Sequence, residues 1–118
     1  MQTWLAALWG LALSSLCAAF SGAAAQPTIL VGELPAPALA VLHAIDSGGP
    51  YAFRRDGVIF HNRERRLPDE ADGYYREYTV APPGAKDRGG RRSVTGGTPP
   101  VHFWYSADHY RTFRRIER

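Results

Sequence analysis

Apolar residues are spaced in three ways along this chain, and each spacing predicts a different element. From Leu5 to Phe20 they run almost without interruption. Met1 to Ala25 holds no charged residue, and Ala23-Ala24-Ala25 precedes Gln26 in an A-x-A arrangement. An apolar run closed by small residues is the pattern of a secretory signal peptide. Residues 1–25 are therefore expected to be a cleaved signal and 26–118 one domain, secreted to the extracellular space. No Lys or Arg precedes the run, so the usual positive start is missing. The alternative is an uncleaved anchor, since about 20 apolar residues span a bilayer. Bulky Leu16 before Cys17 speaks against a lipoprotein cysteine.

From Pro35 to Ile45 the spacing becomes helical. Leu39, Leu42 and Ile45, with Val41, fall on one face. Proline is tolerated in a first turn, and Asp46-Ser47-Gly48-Gly49-Pro50 predicts a left-handed cap followed by a break. His43 lies off the stripe and reads as solvated. After Pro50 the pattern changes to short runs of β-formers between Gly and Pro turns: Gly57 to Phe60, Tyr74 to Val80, Arg92 to Thr95, Val101 to Tyr105 and Tyr110 to Ile116. One helix followed by strands predicts an α+β fold, with an N-terminal helix packed on a twisted antiparallel sheet of about five short strands. The core candidates are Leu39, Leu42, Ile45, Ile59, Tyr78, Val80, Val94, Phe103 and Phe113.

Composition narrows the class. The formal charge is +3, and Lys86 is the only Lys among fourteen basic residues. Arg presents a rigid fork of donors that matches phosphate and carboxylate. An Arg-rich, exported domain suggests a polyanionic substrate or an acidic partner, though solubility alone would explain so small a charge. Cys17 is the only cysteine, so the domain after it must hold together without a disulfide. Metal-ligand spacing, paired cysteines and a Gly-rich nucleotide loop are all missing from the sequence, and neither metal nor cofactor is expected.

Four residues in the second half suggest chemistry. In Tyr74 to Val80, alternation puts Glu77 with Tyr75 and Thr79, and Tyr74, Arg76, Tyr78 and Val80 on the other face. If that other face meets the helix, Glu77 points to the concave solvent side, ionised and able to accept a proton. Arg88 and Arg92 flank Gly89-Gly90, so both could close on one phosphate and stabilise a five-coordinate phosphorus. His109 could donate a proton near neutral pH. Each has a commoner use: a surface Glu–Arg pair, a solvated basic loop, an exposed histidine. His61 and His102 taken singly have the same bland reading.

The ordered pieces Asp56-Gly57-Val58-Ile59-Phe60-His61-Asn62-Arg63-Glu64, Leu67-Pro68, Gly73 to Val80, Pro83-Gly84-Ala85 with Arg88-Gly89 and Arg91-Arg92, and Asp108-His109-Tyr110 with Thr112-Phe113 resemble the bacterial guanyl-specific ribonucleases of barnase and ribonuclease Sa type. The Sa branch is the nearer, and the resemblance covers Leu34 to Ile116. Any one piece is weak; all of them in order are specific. The resemblance implies the microbial ribonuclease fold and a monomer. It implies cleavage of single-stranded RNA 3′ of guanosine, through a 2′,3′-cyclic phosphate that is then hydrolysed to a 3′-phosphate, with no cleavage of DNA. In that reading Glu77 is the general base and His109 the general acid. Arg88 and Arg92 hold the phosphate, and Arg63 adds charge at its edge. Glu64 reads guanine, backbone amides from His61 through Asn62 to Arg63 meet the base, and Phe60 and Tyr110 flank it by stacking. An acidic inhibitor of barstar type is a plausible partner.

Three departures from that family stand out. His61 takes a position often held by Gln. The disulfide usual in the Sa branch is missing, which typically costs a few kcal/mol, so lower stability or some compensation is expected. Arg65-Arg66 and Arg114-Arg115 make the chain more basic, which favours RNA affinity and salt sensitivity. The competing reading is a non-catalytic secreted module that binds RNA or an acidic protein on the same face; retention of all four reactive side chains speaks against it.

Overall fold

The computed structural model describes residues 26–118; the expected signal peptide and Cys17 lie outside them. Strand β1 (Thr28–Leu30) leads through a short 3-10 turn (Val31–Glu33) to helix α1 (Ala36–Ser47). Strands β2 (Val58–Phe60), β3 (Tyr75–Thr79), β4 (Arg92–Gly96), β5 (His102–Ser106) and β6 (Arg114–Glu117) follow. The sheet order is β1-β6-β5-β4-β3-β2. All pairings are antiparallel except β1 with β6, which are parallel.

The helix forms where the pattern placed it. Pro35 caps it, and the Pro35 carbonyl accepts from Ala38 and Leu39 N–H at 2.9 and 3.2 Å. It ends at Gly48, whose φ of 77° suits a residue without a Cβ, while Gly49 N–H closes on the Ala44 carbonyl at 2.8 Å. The buried stripe runs through Ala38, Leu42 and Ile45, with Leu39 and Val41 half-buried on its flanks. Leu42 and Ile45 of the expected stripe are buried, and Ala38 takes the place expected for Leu39.

Both faces of the sheet carry an apolar cluster. Under α1 lie Tyr78, Val80, Phe103, Tyr105 and Ile116 with Ile29 and Leu34. On the opposite face lie Leu67, Tyr75, Val94, Trp104 and Phe113, with Phe60, Tyr74 and Tyr110 packed against them. Strand β4 is buried at every position for this reason. The registers Glu77↔Val94↔Trp104 and Thr79↔Arg92↔Ser106 place all six residues on that second face. Seven of the nine core candidates are buried. Leu39 and Ile59 are half-buried, Ile59 because β2 is an edge strand with no neighbour outside it.

Four expectations are corrected. There are six strands, because Thr28-Ile29-Leu30 pairs with the last strand; three residues carry too little alternation to announce a strand. The final strand begins at Arg114, and Tyr110 sits in a turn with φ 69°. Tyr74 precedes β3 and joins the second cluster instead of facing the helix. Glu77 faces away from α1 as expected but is only 7% exposed, since the second cluster closes around it.

The first and last described segments are tied together by non-covalent contacts. Ile29 pairs with Ile116, and the Trp104 indole N–H donates to Gln26 Oε1 at 2.7 Å. The Arg118 guanidinium makes a two-pronged pair with Asp46 at the end of α1 and lies over the Phe103 ring at 4.8 Å.

Candidate active site

Strand β3 delivers Glu77 to the middle of the second face, between Val58 of β2 and Val94 of β4. A buried carboxylate needs compensating charge. Arg88 supplies it, donating from Nη2 to Glu77 Oε1 at 3.2 Å and from Nε to Thr79 Oγ1 at 2.9 Å. Arg55 Nε stands 3.9 Å from the same oxygen.

Arg92 begins β4 and is 3% exposed. Its Nη1 donates to the Arg88 and Arg91 carbonyls at 3.2 and 2.7 Å, so it also fastens the loop that carries Arg88. Its guanidinium lies 5.9 Å from the Tyr110 ring centroid. The Arg92 Nε–H is buried without a hydrogen-bond partner, and the Tyr110 hydroxyl is enclosed beside Glu77 and Arg92. Burial, and then the nearby Glu77 charge, push the Tyr110 phenol up to about 12. Enclosing an arginine donor and a phenol beside a carboxylate costs free energy unless each finds a partner.

The turn after β5 presents His109 and Tyr110. Both have left-handed backbone, φ 53° and 69°, a conformation that costs free energy for residues with a Cβ. Asp108 holds the turn: Oδ1 accepts from Ser106 Oγ at 3.0 Å and Thr112 N–H at 2.9 Å, and Oδ2 accepts from Thr112 Oγ1 at 2.6 Å. These bonds, Thr112's first, hold the Asp108 carboxyl below its usual range. Ser106 Oγ in turn accepts Tyr110 N–H at 2.9 Å, and His109 N–H donates to the Gly90 carbonyl at 2.8 Å. The histidine turn and the arginine loop are thus joined.

The loop after β2 is closed by its own side chain. Asn62, left-handed at φ 53°, donates from Nδ2 to the Leu67 carbonyl at 2.9 Å and accepts Leu67 N–H at 3.1 Å. Asn tolerates this backbone better than most residues. Its amide is committed to the loop, which leaves backbone groups to face a ligand. His61 Nδ1 pairs with Asp72 Oδ1 at 2.9 Å. Glu64 forms an ion pair with Arg66, and Arg66 Nη1 also donates to the Tyr110 carbonyl at 3.0 Å.

A cleft of about 740 Å³ gathers Phe60, His61, Asn62, Arg63, Glu64, Glu77, His109 and Tyr110 along its wall. Arg88 and Arg92 stand behind Glu77 and Tyr110 instead of lining it, so the sequence-predicted residues are brought together in two layers. Phe60 and Tyr110 were expected to flank a base. They stack on each other, centroids 4.8 Å apart and planes at 27°, so a base can enter between them only if Tyr110 swings away. The sequence reading missed Arg55, Arg66 and Arg76 on the cleft wall and Asp108 behind it. Arg76 was placed on the helix face by alternation; its long side chain instead reaches the turn entering the edge strand and donates to the Gly57 carbonyl at 3.1 Å. Among the described residues, no three His, Cys, Asp or Glu side chains gather as a metal site would need.

Known proteins share this fold and much of this sequence. The family model described as ribonuclease matches residues 18–117. Guanyl-specific ribonuclease Sa of Kitasatospora aureofaciens is 45% identical over 91 residues, which cover 77% of this chain and 94% of that protein. Ribonuclease Sa3 of the same organism is 46% identical over 89 residues; the match covers 75% of this chain and 62% of Sa3's length. Ribonuclease St of Saccharopolyspora erythraea is 45% identical over 86 residues, covering 73% of this chain and 83% of St. Ribonuclease Sa2, solved with mononucleotides, superposes with a TM-score of 0.74 at 47% identity over 80% of this chain and 96% of that one. Its structure with guanosine-2′-cyclophosphate gives 0.72 at 47% identity over 79% and 97%. With its helix, sheet and cleft arranged as they are, and with likeness of this extent, the chain belongs to the ribonuclease family, among the guanyl-specific ribonucleases.

Proposed function

We propose that this chain is an endoribonuclease that cleaves single-stranded RNA 3′ of guanosine by transphosphorylation. The observation that carries the reading is the buried Arg92 guanidinium, its Nε–H unpaired, enclosed with the Tyr110 hydroxyl beside the Glu77–Arg88 pair. Such a group is satisfied by an anion with several acceptor oxygens, as a phosphodiester has.

Glu77 accepts the proton of the guanosine 2′-hydroxyl as its oxygen attacks phosphorus. His109 gives a proton to the departing 5′-oxygen of the next nucleotide. The P–O5′ bond breaks as P–O2′ forms, leaving a 2′,3′-cyclic phosphate and a free 5′-hydroxyl. In hydrolysis the roles reverse: His109 activates water and Glu77 protonates the 2′-oxygen, giving a 3′-phosphate. Arg88 and Arg92 supply the positive charge that a five-coordinate phosphorus needs, with Arg63 at its edge. Glu64 accepts two hydrogen bonds from guanine, which requires it to exchange its Arg66 partner for the base. DNA lacks the nucleophile and is not cleaved. Export through residues 1–25, a monomeric state and an acidic inhibitor partner belong to the same proposal.

The test is cleavage of a mixed-sequence RNA with and without EDTA. Guanosine 2′,3′-cyclic phosphate ends, unaffected by the chelator, are expected. Binding without cleavage would favour a non-catalytic module.

A further inference from the structure

The cleft wall carries two arginines that this chemistry leaves unused. Arg55 and Arg76 line it together with Val58 and Glu77. They meet at the turn entering β2. That turn is rigid: Asp56 accepts Phe53 N–H at 3.1 Å with Oδ2 and Thr79 N–H at 2.7 Å with Oδ1, and Arg55's carbonyl accepts Val58 N–H at 3.2 Å. Both Asp56 oxygens are therefore committed to backbone amides. Glu77, the other nearby carboxylate, is already bonded to Arg88 and lies 3.9 Å from Arg55, beyond hydrogen-bond reach. The Arg55 side chain is 65% exposed. Arg76 spends one nitrogen on the Gly57 carbonyl, and that bond holds its guanidinium at the cleft. Arg76, anchored by that bond, and Arg55, exposed on a fixed backbone, thus face the same opening with unspent donors.

We propose that Arg55 and Arg76 form a second phosphate subsite, which takes the phosphate on the 5′ side of the guanosine. The inference rests on the ribonuclease reading above. A guanosine whose 2′-hydroxyl faces Glu77 has its 3′-phosphate at Arg88, Arg92 and His109, and its downstream strand departs past His109. The corner beyond Glu77, where Arg55 and Arg76 stand, is left for the upstream strand. The cleft volume of about 740 Å³ sits well inside the roughly 300–1,000 Å³ of sites that bury ligands of drug size, so it accommodates more than a nucleoside.

The experiment compares kcat/KM on guanylyl-3′,5′-uridine with and without a 5′-phosphate. Wild type is expected to favour the phosphorylated dinucleotide by about three- to fivefold at low salt, the upper part of the range for one exposed ion pair. The preference should fade as salt rises. In the Arg55→Gln, Arg76→Gln double variant it should fall below about twofold on the same scale. Arg54→Gln removes an exposed arginine that does not line the cleft and should keep the preference. Equal rates on both dinucleotides in wild type, a preference retained in the double variant, or an equal loss in Arg54→Gln would each overturn the subsite. Cleavage of neither dinucleotide by wild type would overturn the ribonuclease reading and the subsite with it.

Discussion

Glu77, Arg92 and Tyr110 are held in conditions that a folded chain ordinarily avoids: a buried carboxylate, a buried guanidinium with an idle donor, and a phenol hydroxyl enclosed beside both. Their value lies in what they can do to a substrate. Glu77→Gln keeps the shape and removes the base, so kcat should fall by about 10²–10⁴ in a dinucleotide assay. Arg92→Lys substitutes a point charge for a planar donor set and should cost about 10²-fold in kcat. Tyr110→Phe removes a buried hydroxyl enclosed beside Glu77 and Arg92. It should change stability by no more than about 1 kcal/mol in chemical denaturation, while lowering kcat/KM. A much larger loss of stability would mean that the hydroxyl is a structural anchor. The identities of these residues were legible in sequence because the ordered motifs carry them. Their burial was not, because it comes from Trp104, Val94 and Phe113, which pack on the same face from other strands.

At the scale of elements, the legible parts were those with their own periodicity. Helix α1 has a proline entry and a glycine exit, and β3 lies in a run of β-formers that begins at Tyr74 after Gly73. Strand β1 has neither; it exists because β6 offers an edge and Arg115 N–H donates to the Pro27 carbonyl at 2.8 Å. Gly96 shows the same dependence. Nothing local demands glycine at this strand end, yet a Cβ there would lie 2.6 Å from the Tyr74 ring and 3.2 Å from Trp104. Gly96→Ala should destabilise by about 1–3 kcal/mol through overpacking, read as a drop in denaturation midpoint. A neutral result would show that Tyr74 can yield.

At the scale of the whole molecule, stability should form a plateau with two limbs. Asp46, beside Arg118, and Asp108, bonded to Thr112, have carboxyls held below 3.8. A depressed acid stabilises the fold above its unfolded value, and that contribution is lost as pH falls through the folded one. Tyr75 and Tyr110 are pushed up to about 12, chiefly by burial, from 10.0. A raised phenol stabilises the fold below 10.0, and the contribution is lost as pH rises towards 12. Thermal melts across pH should therefore fall off below about 4 and above about 10, the ordinary acid and tyrosine values; a fold equally stable at 8 and 11.5 would contradict the buried phenols. By itself the sequence determined the α+β class, the helix and its cap, most of the core, and the family, because periodicity, turn chemistry and motif order are local or additive properties. Only the tertiary structure decided that Glu77 is enclosed, that Tyr110 covers Phe60 and Arg92, that Arg66 holds Glu64, and that Gln26 and Arg118 tie down the ends. Those facts depend on contacts between residues far apart in the chain, where distance and burial are set by the packing of several elements at once.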